Sequence, residues 1–136
     1  MVSIQEKRKI VKKLQLIKLP EQRSPEWHKM RENMITASDF GSILGHSKYG
    51  SSKSVLKQKW GLGAKFRGNV YTRWGTKYEE VATEIYRIKY NTNVIEFGCL
   101  GHPDYSFIGA SPDGITPDGI MLEIKVPKTR IFKADD

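Results

Sequence analysis

The sequence predicts an α+β domain in which helices come first and a mainly antiparallel three-stranded sheet follows. Three observations carry this. Helix-start signatures recur at Ser24-Pro25-Glu26, at Thr36 and at Ser51-Ser52. Tyr78, Val81, Ala82, Ile85 and Ile88 repeat at helical spacing. Past Asn91 the apolar pattern shifts to the short runs of strands, at 93–100, 106–110 and 120–126, with turn residues between them.

Residues 1–20 mix Lys and Arg with Ile, Leu and Val, which suits either an amphipathic helix or a basic arm, closed by Pro20. They are set apart from a domain over 21–136. Ser24 is a good N-cap, Pro25 a good first helical residue, and Glu26 an acid in the first turn. The resulting helix carries Trp27, His28, Met30 and Arg31. Thr36 with Asp39 three residues on resembles a capping box, and Gly45 stops the helix whose apolar side is Phe40, Ile43 and Leu44. A third helix runs from Ser51-Ser52 to Trp60. The stretch at 61–69 is a Gly-rich basic loop without the spacing of a phosphate-binding P-loop. A long helix is expected from about 75 to 90, ending at Asn91.

A chain of 136 residues suits one domain with one core. No apolar run is long enough to span a bilayer, so no membrane partner is expected. The N-terminus lacks the apolar stretch of a secretory signal. The single cysteine, Cys99, excludes an internal disulfide framework and any multi-cysteine metal site, and fits an intracellular protein. The net charge of +8 suits a polyanion such as nucleic acid, or serves solubility alone.

The segment SPDGITPDGIMLEIKVPK contains two Pro-Asp-Gly tripeptides and a charged pair inside an apolar strand. Thr116-Pro117-Asp118-Gly119 fits a type I turn closed by a left-handed Gly119. That loop places Thr116 opposite Ile120 and Asp113 opposite Glu123, with Cβ atoms about 5 Å apart. Lys125, two residues beyond Glu123, shares its face. Facing carboxylates repel unless neutralised, and a divalent cation with hard oxygen ligands does this. An exposed face carrying a carboxylate–lysine pair is the plainer alternative. The apolar neighbours Met121, Leu122, Ile124 and Val126 favour the cation. Asp118 belongs to the turn, Trp27 and Trp74 to the scaffold, and Asp104 to a loop that could approach the ion. His28, His46 and His102 lack ligand spacing.

Asp113 followed by Glu123-Ile-Lys125 resembles the core motif of the PD-(D/E)xK, restriction-endonuclease-like nucleases. The nearer likeness is to the phage lambda exonuclease, or YqaJ-like viral recombinase, family. Four stretches carry it in order: QRSPEWHKMR at 22–31, ITAS at 35–38, RWGTKYEE at 73–80, and GASPDG through LEIKVP at 109–127. The resemblance implies Asp113 and Glu123 as principal metal ligands, with the Ile124 carbonyl and Glu79 completing the site. It implies Lys125 as the catalytic lysine, beside catalytic Glu123, Asp113 and Glu79. It implies Arg31, helped by Ser38, as the grip on a 5′-phosphate. One or two Mg²⁺ or Mn²⁺ ions would serve as cofactor. The implied activity is 5′-to-3′ digestion of double-stranded DNA ends, exposing 3′ single strands for a single-strand-annealing partner in an infected host cell.

Members of that family usually continue beyond the Glu-x-Lys strand into a further helix and strand. The 21–136 domain is therefore expected to be a partial one, lacking the C-terminal part of the core. Ring-forming oligomers occur in the family. Two other readings stay open: an endonuclease or repair nuclease of the same superfamily, and a non-catalytic DNA-binding or assembly module.

Overall fold

The computed structural model describes residues 2–63 and 68–129. Positions 64–67 of the expected Gly-rich loop lie outside the described residues. The N-terminal segment is a helix, α1 (Ile4–Gln15), capped by Ser3, whose N–H donates to the Glu6 carboxylate at 2.8 Å. It ends at Leu16, whose N–H bonds the Lys13 carbonyl, so Pro20 is not its stop. Val11 turns inward and packs with Phe97 and Ile115, which fastens α1 to the C-terminal half of the chain. Arg8 adds an ion pair to Asp118 at 2.6 Å.

The next helices begin where their caps predict. In α2 (Pro25–Glu32), Ser24 Oγ accepts the Trp27 N–H at 3.1 Å. In α3 (Ala37–Ile43), the Asp39 carboxylate reaches back to accept from the Thr36 N–H at 2.8 Å and its hydroxyl at 2.7 Å. Ser51 caps α4 (Ser52–Lys59). The long helix α5 (Val70–Tyr90) starts earlier than its apolar spacing suggested, because Asn69 caps it by accepting from the Tyr71 and Thr72 N–H groups. Asn91, left-handed at φ 46°, closes it. Its apolar stripe is not a buried one: Val81, Ile85 and Ile88 are all more than half exposed. Spacing shows that a helix is amphipathic but not that its apolar side is covered.

The α+β class holds, but the strands form two small sheets. Thr36 belongs to a short strand, β1 (Ile35–Thr36), that the sequence did not signal. It runs parallel to β3 (Ile108–Ala110), which pairs antiparallel with β2 (Leu100–Gly101) on its other side. The second sheet is the hairpin of β4 (Gly114–Ile115) and β5 (Met121–Leu122). The expected continuous strand at 93–100 is divided between them. Ile95 bridges to Ile115 of the hairpin, whereas Leu100 pairs with Ala110 in the other sheet. Between these, Phe97, Gly98 and Cys99 are buried as the chain crosses. A Cβ on Gly98 would lie 2.3 Å from the Pro20 carbonyl oxygen, so the crossing needs glycine.

The hairpin has the register its turn chemistry predicts. Gly114 pairs with Leu122 and Ile115 with Met121. Gly119 is left-handed at φ 78°, and its N–H bonds the Thr116 carbonyl at 2.9 Å. The strand expected over 120–126 is shorter than that, because regular pairing stops after Leu122. The Ile124 N–H is taken instead by the Asp113 carboxylate, so a side chain replaces the next rung of the ladder.

Candidate active site

An open cleft of about 440 Å³ lies where the α2–α3 region meets the hairpin. One wall is basic. On α2, Trp27 and Arg31 stand one helical turn apart, and the Arg31 guanidinium lies 4.1 Å from the Trp27 ring centre. Its Nη2 donates to Thr36 Oγ1 at 3.2 Å and to Ser38 Oγ at 3.0 Å. Arg31 Nε is buried and has no hydrogen-bond partner among the described residues. A half-buried arginine with a donor to spare, beside hydroxyls on a cleft, suits an anion.

This wall is braced from behind. Lys59, at the end of α4, donates to the Arg31 carbonyl at 3.0 Å and pairs with Asp39 at 2.9 Å. Burial alone would raise the Asp39 pKa. Hydrogen bonds from Lys59 and from the Thr36 N–H and hydroxyl outweigh it and hold the carboxyl below its ordinary range. Trp27 Nε1 donates to Ser111 Oγ at 3.1 Å, which ties the basic wall to the first Pro-Asp-Gly.

The other wall is acidic. The Asp113 N–H bonds the Leu122 carbonyl at 3.2 Å, an antiparallel link that sets Asp113 beside Glu123. Both residues line the cleft. Asp113 accepts the Ile124 N–H, and Glu123 contacts the Lys125 ammonium. The hydrogen bond to Glu123 raises the Lys125 pKa, partial burial opposes it, and the charges of Glu123, Asp113 and Glu79 add to the rise. Lys125 is therefore an ammonium in this arrangement. Glu79 projects from α5 and pairs with Arg23, also a cleft residue, at 2.7 Å.

Asp113, Glu123, Arg31 and Ser38 are thus brought to one cleft, with Lys125 joined through Glu123 and Glu79 through Arg23. Ile124 enters through its N–H. The sequence reading passed over Thr36 as a ligand, and over Ser111, Arg23 and Lys59 altogether. The hydroxyl spacing of Thr36-Ala-Ser38 and the Arg23 beside Ser24-Pro25 were visible signals. Lys59 was not, since its partners come from two other helices.

Among the described residues, no three His, Cys, Asp or Glu side chains are grouped as a ready metal-ligand set. The donors nevertheless fit a hard divalent cation in kind. They are carboxylates, and two of them line one cleft while the charge of the third reaches the same ammonium. Each carboxylate is engaged by a cation or an N–H, so Glu79 and Glu123 would exchange Arg23 and Lys125 for an ion.

The chain is 36% identical over 121 residues to an uncharacterized protein of Acanthamoeba polyphaga mimivirus, covering 81% of this chain and 22% of that protein. It is 33% identical over 100 residues to a protein of African swine fever virus, covering 74% and 28%. It therefore spans about a quarter of the length of these curated relatives. Among solved structures, an alkaline exonuclease from Laribacter hongkongensis matches with a TM-score of 0.64 at 29% identity, over 78% of this chain and 55% of that one. The same enzyme in complex with dAMP matches with a TM-score of 0.64 at 28% identity. Residues 26–136, which include Arg31, Glu79 and the whole hairpin, match the YqaJ-like viral recombinase domain, and the chain belongs to that family.

Proposed function

We propose that this chain carries the catalytic centre of a metal-dependent exonuclease acting on double-stranded DNA ends. The observation that carries the reading is the hairpin register. One residue beyond its last pair, Gly114 with Leu122, Asp113 and Glu123 line one cleft together with Arg31 and Ser38. Likeness to an alkaline exonuclease supports the same reading. In it, Arg31 and Ser38 hold a terminal 5′-phosphate, which orients the strand for 5′-to-3′ digestion. Asp113, Glu123, the Ile124 carbonyl and Glu79 would hold one or two Mg²⁺ or Mn²⁺ ions. Such an ion, when bound, supplies an activated water and offsets negative charge on the leaving oxygen. Lys125 stays protonated beside the carboxylates and stabilises charge on the phosphate under attack. Trp27, Thr36 and Ser38 keep the Arg31 guanidinium in place. The exposed 3′ strand would pass to a single-strand-annealing protein, and the active form would be a ring-like homo-oligomer.

Incubation of the chain with Mg²⁺ and a linear 5′-phosphorylated duplex tests this. Linear DNA should be digested and covalently closed circles spared, and a chelator should stop the reaction. Glu123→Gln should lower the rate about 10²-fold or more while duplex binding persists. Cutting of closed circles would point instead to an endonuclease. Duplex binding with no metal-dependent hydrolysis would point to an assembly module.

A further inference from the structure

Arg23 stands out by its backbone. Among the described residues only Arg23 and Asn91, besides glycines, have positive φ. Asn91 is a helix cap, where asparagine is common. Arg23 is no helix cap, and its φ of 69° is a conformation that is strained for a residue with a Cβ. Its neighbours enforce it. Gln22 Nε2 donates to the carbonyls of Phe97 at 2.7 Å and Pro112 at 2.9 Å. Ser24 is committed to capping α2. With both flanks pinned, Arg23 is held at the lining of the cleft that Arg31, Asp113 and Glu123 also line, with its guanidinium on Glu79.

Its present partner is Glu79, and the two side chains are 52% and 26% exposed. A solvated pair of this kind is weak and readily exchanged. A divalent cation bound by Glu79 would compete directly with the guanidinium. The released arginine would then carry a free planar fork, suited to phosphate, on the path of a strand whose end lies at Arg31.

We infer that Arg23 is a second phosphate-binding arginine of this cleft, held on Glu79 until a divalent cation takes that carboxylate. This rests on the proposed nuclease reading. The arginine contacts a backbone phosphate of the bound strand and not its 5′-terminal phosphate, which belongs to Arg31. Metal loading and DNA binding are thereby linked: the ion frees the residue that the strand needs.

The test uses the 136-residue chain and Arg23→Gly. Glycine accepts positive φ without strain, so the melting temperature should be equal or higher. Calorimetric titration with Mn²⁺, without DNA, should show binding at least about threefold tighter in the variant, because no cation has to leave Glu79. A 5′-phosphorylated duplex titrated in Ca²⁺, read by fluorescence anisotropy, should bind about tenfold more weakly. The slope of log affinity against log salt should become shallower by about 0.9, the signature of one lost phosphate contact. Unchanged duplex affinity and salt slope, or weaker Mn²⁺ binding, would overturn the inference alone. A parent chain that binds neither Mn²⁺ nor duplex would overturn the nuclease reading together with it.

Discussion

On the α2–α3 wall of the cleft, Arg31 is fixed from several sides: the Trp27 ring lies against it, Thr36 and Ser38 accept from it, and Lys59 holds its backbone carbonyl. On the hairpin wall, Glu123 and Lys125 are 61% and 78% exposed and contact each other. The difference follows from where each wall gets its support. The basic wall is built from helix ends that cap and buttress one another, and its contacts are all made within the chain. The acidic wall gathers like charges, and Lys125 beside Glu123 and Arg23 beside Glu79 offset them. On the proposed reading, the phosphate pocket would be made in advance, whereas the carboxylates of the cation site would stay paired until an ion replaced their partners.

Removing the arginine should erase the contrast most sharply. Arg31→Ala should lower the preference for 5′-phosphate over 5′-hydroxyl ends by about 10- to 100-fold, measured as the ratio of initial digestion rates. Arg31→Lys should restore only part of it, since an ammonium lacks the fork that reaches two oxygens. An unchanged preference in Arg31→Ala would remove the phosphate role from this wall.

A smaller effect probes the frame that joins the walls. Gly98→Ala sets a methyl against the Pro20 carbonyl and the Leu19 side chain. It should cost about 1–3 kcal/mol in urea unfolding. A null result would mean that the crossing between the two sheets is not tightly packed.

The mildest test concerns acid. Asp39 has a lowered pKa in the folded chain, so it stabilises the fold above its unfolded value of about 3.9 and loses that contribution as pH falls through the lower folded one. The melting temperature of the parent should therefore drop below about pH 4 more steeply than that of Asp39→Asn. Parallel curves would show that the Thr36–Asp39–Lys59 brace adds nothing.

Local chemistry made much of this legible. Ser24, Ser51 and the Thr36–Asp39 pair each mark a helix start because capping is decided within four residues. The hairpin register was legible for the same reason: Pro117 and Gly119 fix the turn, and the turn fixes which residues face each other. What escaped depends on distant partners. β1 exists because Ile35 and Thr36 find β3 more than seventy positions away. The segment at 93–100 divides because its two ends find different sheets. Lys59 matters because α4 delivers it to Arg31 and Asp39. The exposed stripe on α5 makes the same point, since period alone says nothing about what lies opposite.

The proposed nuclease rests on a divalent cation held between Asp113 and Glu123. A crystal of this chain soaked in Mn²⁺, with anomalous scattering recorded, tests it most directly. An Mn²⁺ peak should stand between the Asp113 and Glu123 carboxylates, with Lys125 turned away from Glu123 and no peak in a Glu123→Gln crystal. Mn²⁺ found only elsewhere, with the Glu123–Lys125 pair intact in the soaked crystal, would contradict it.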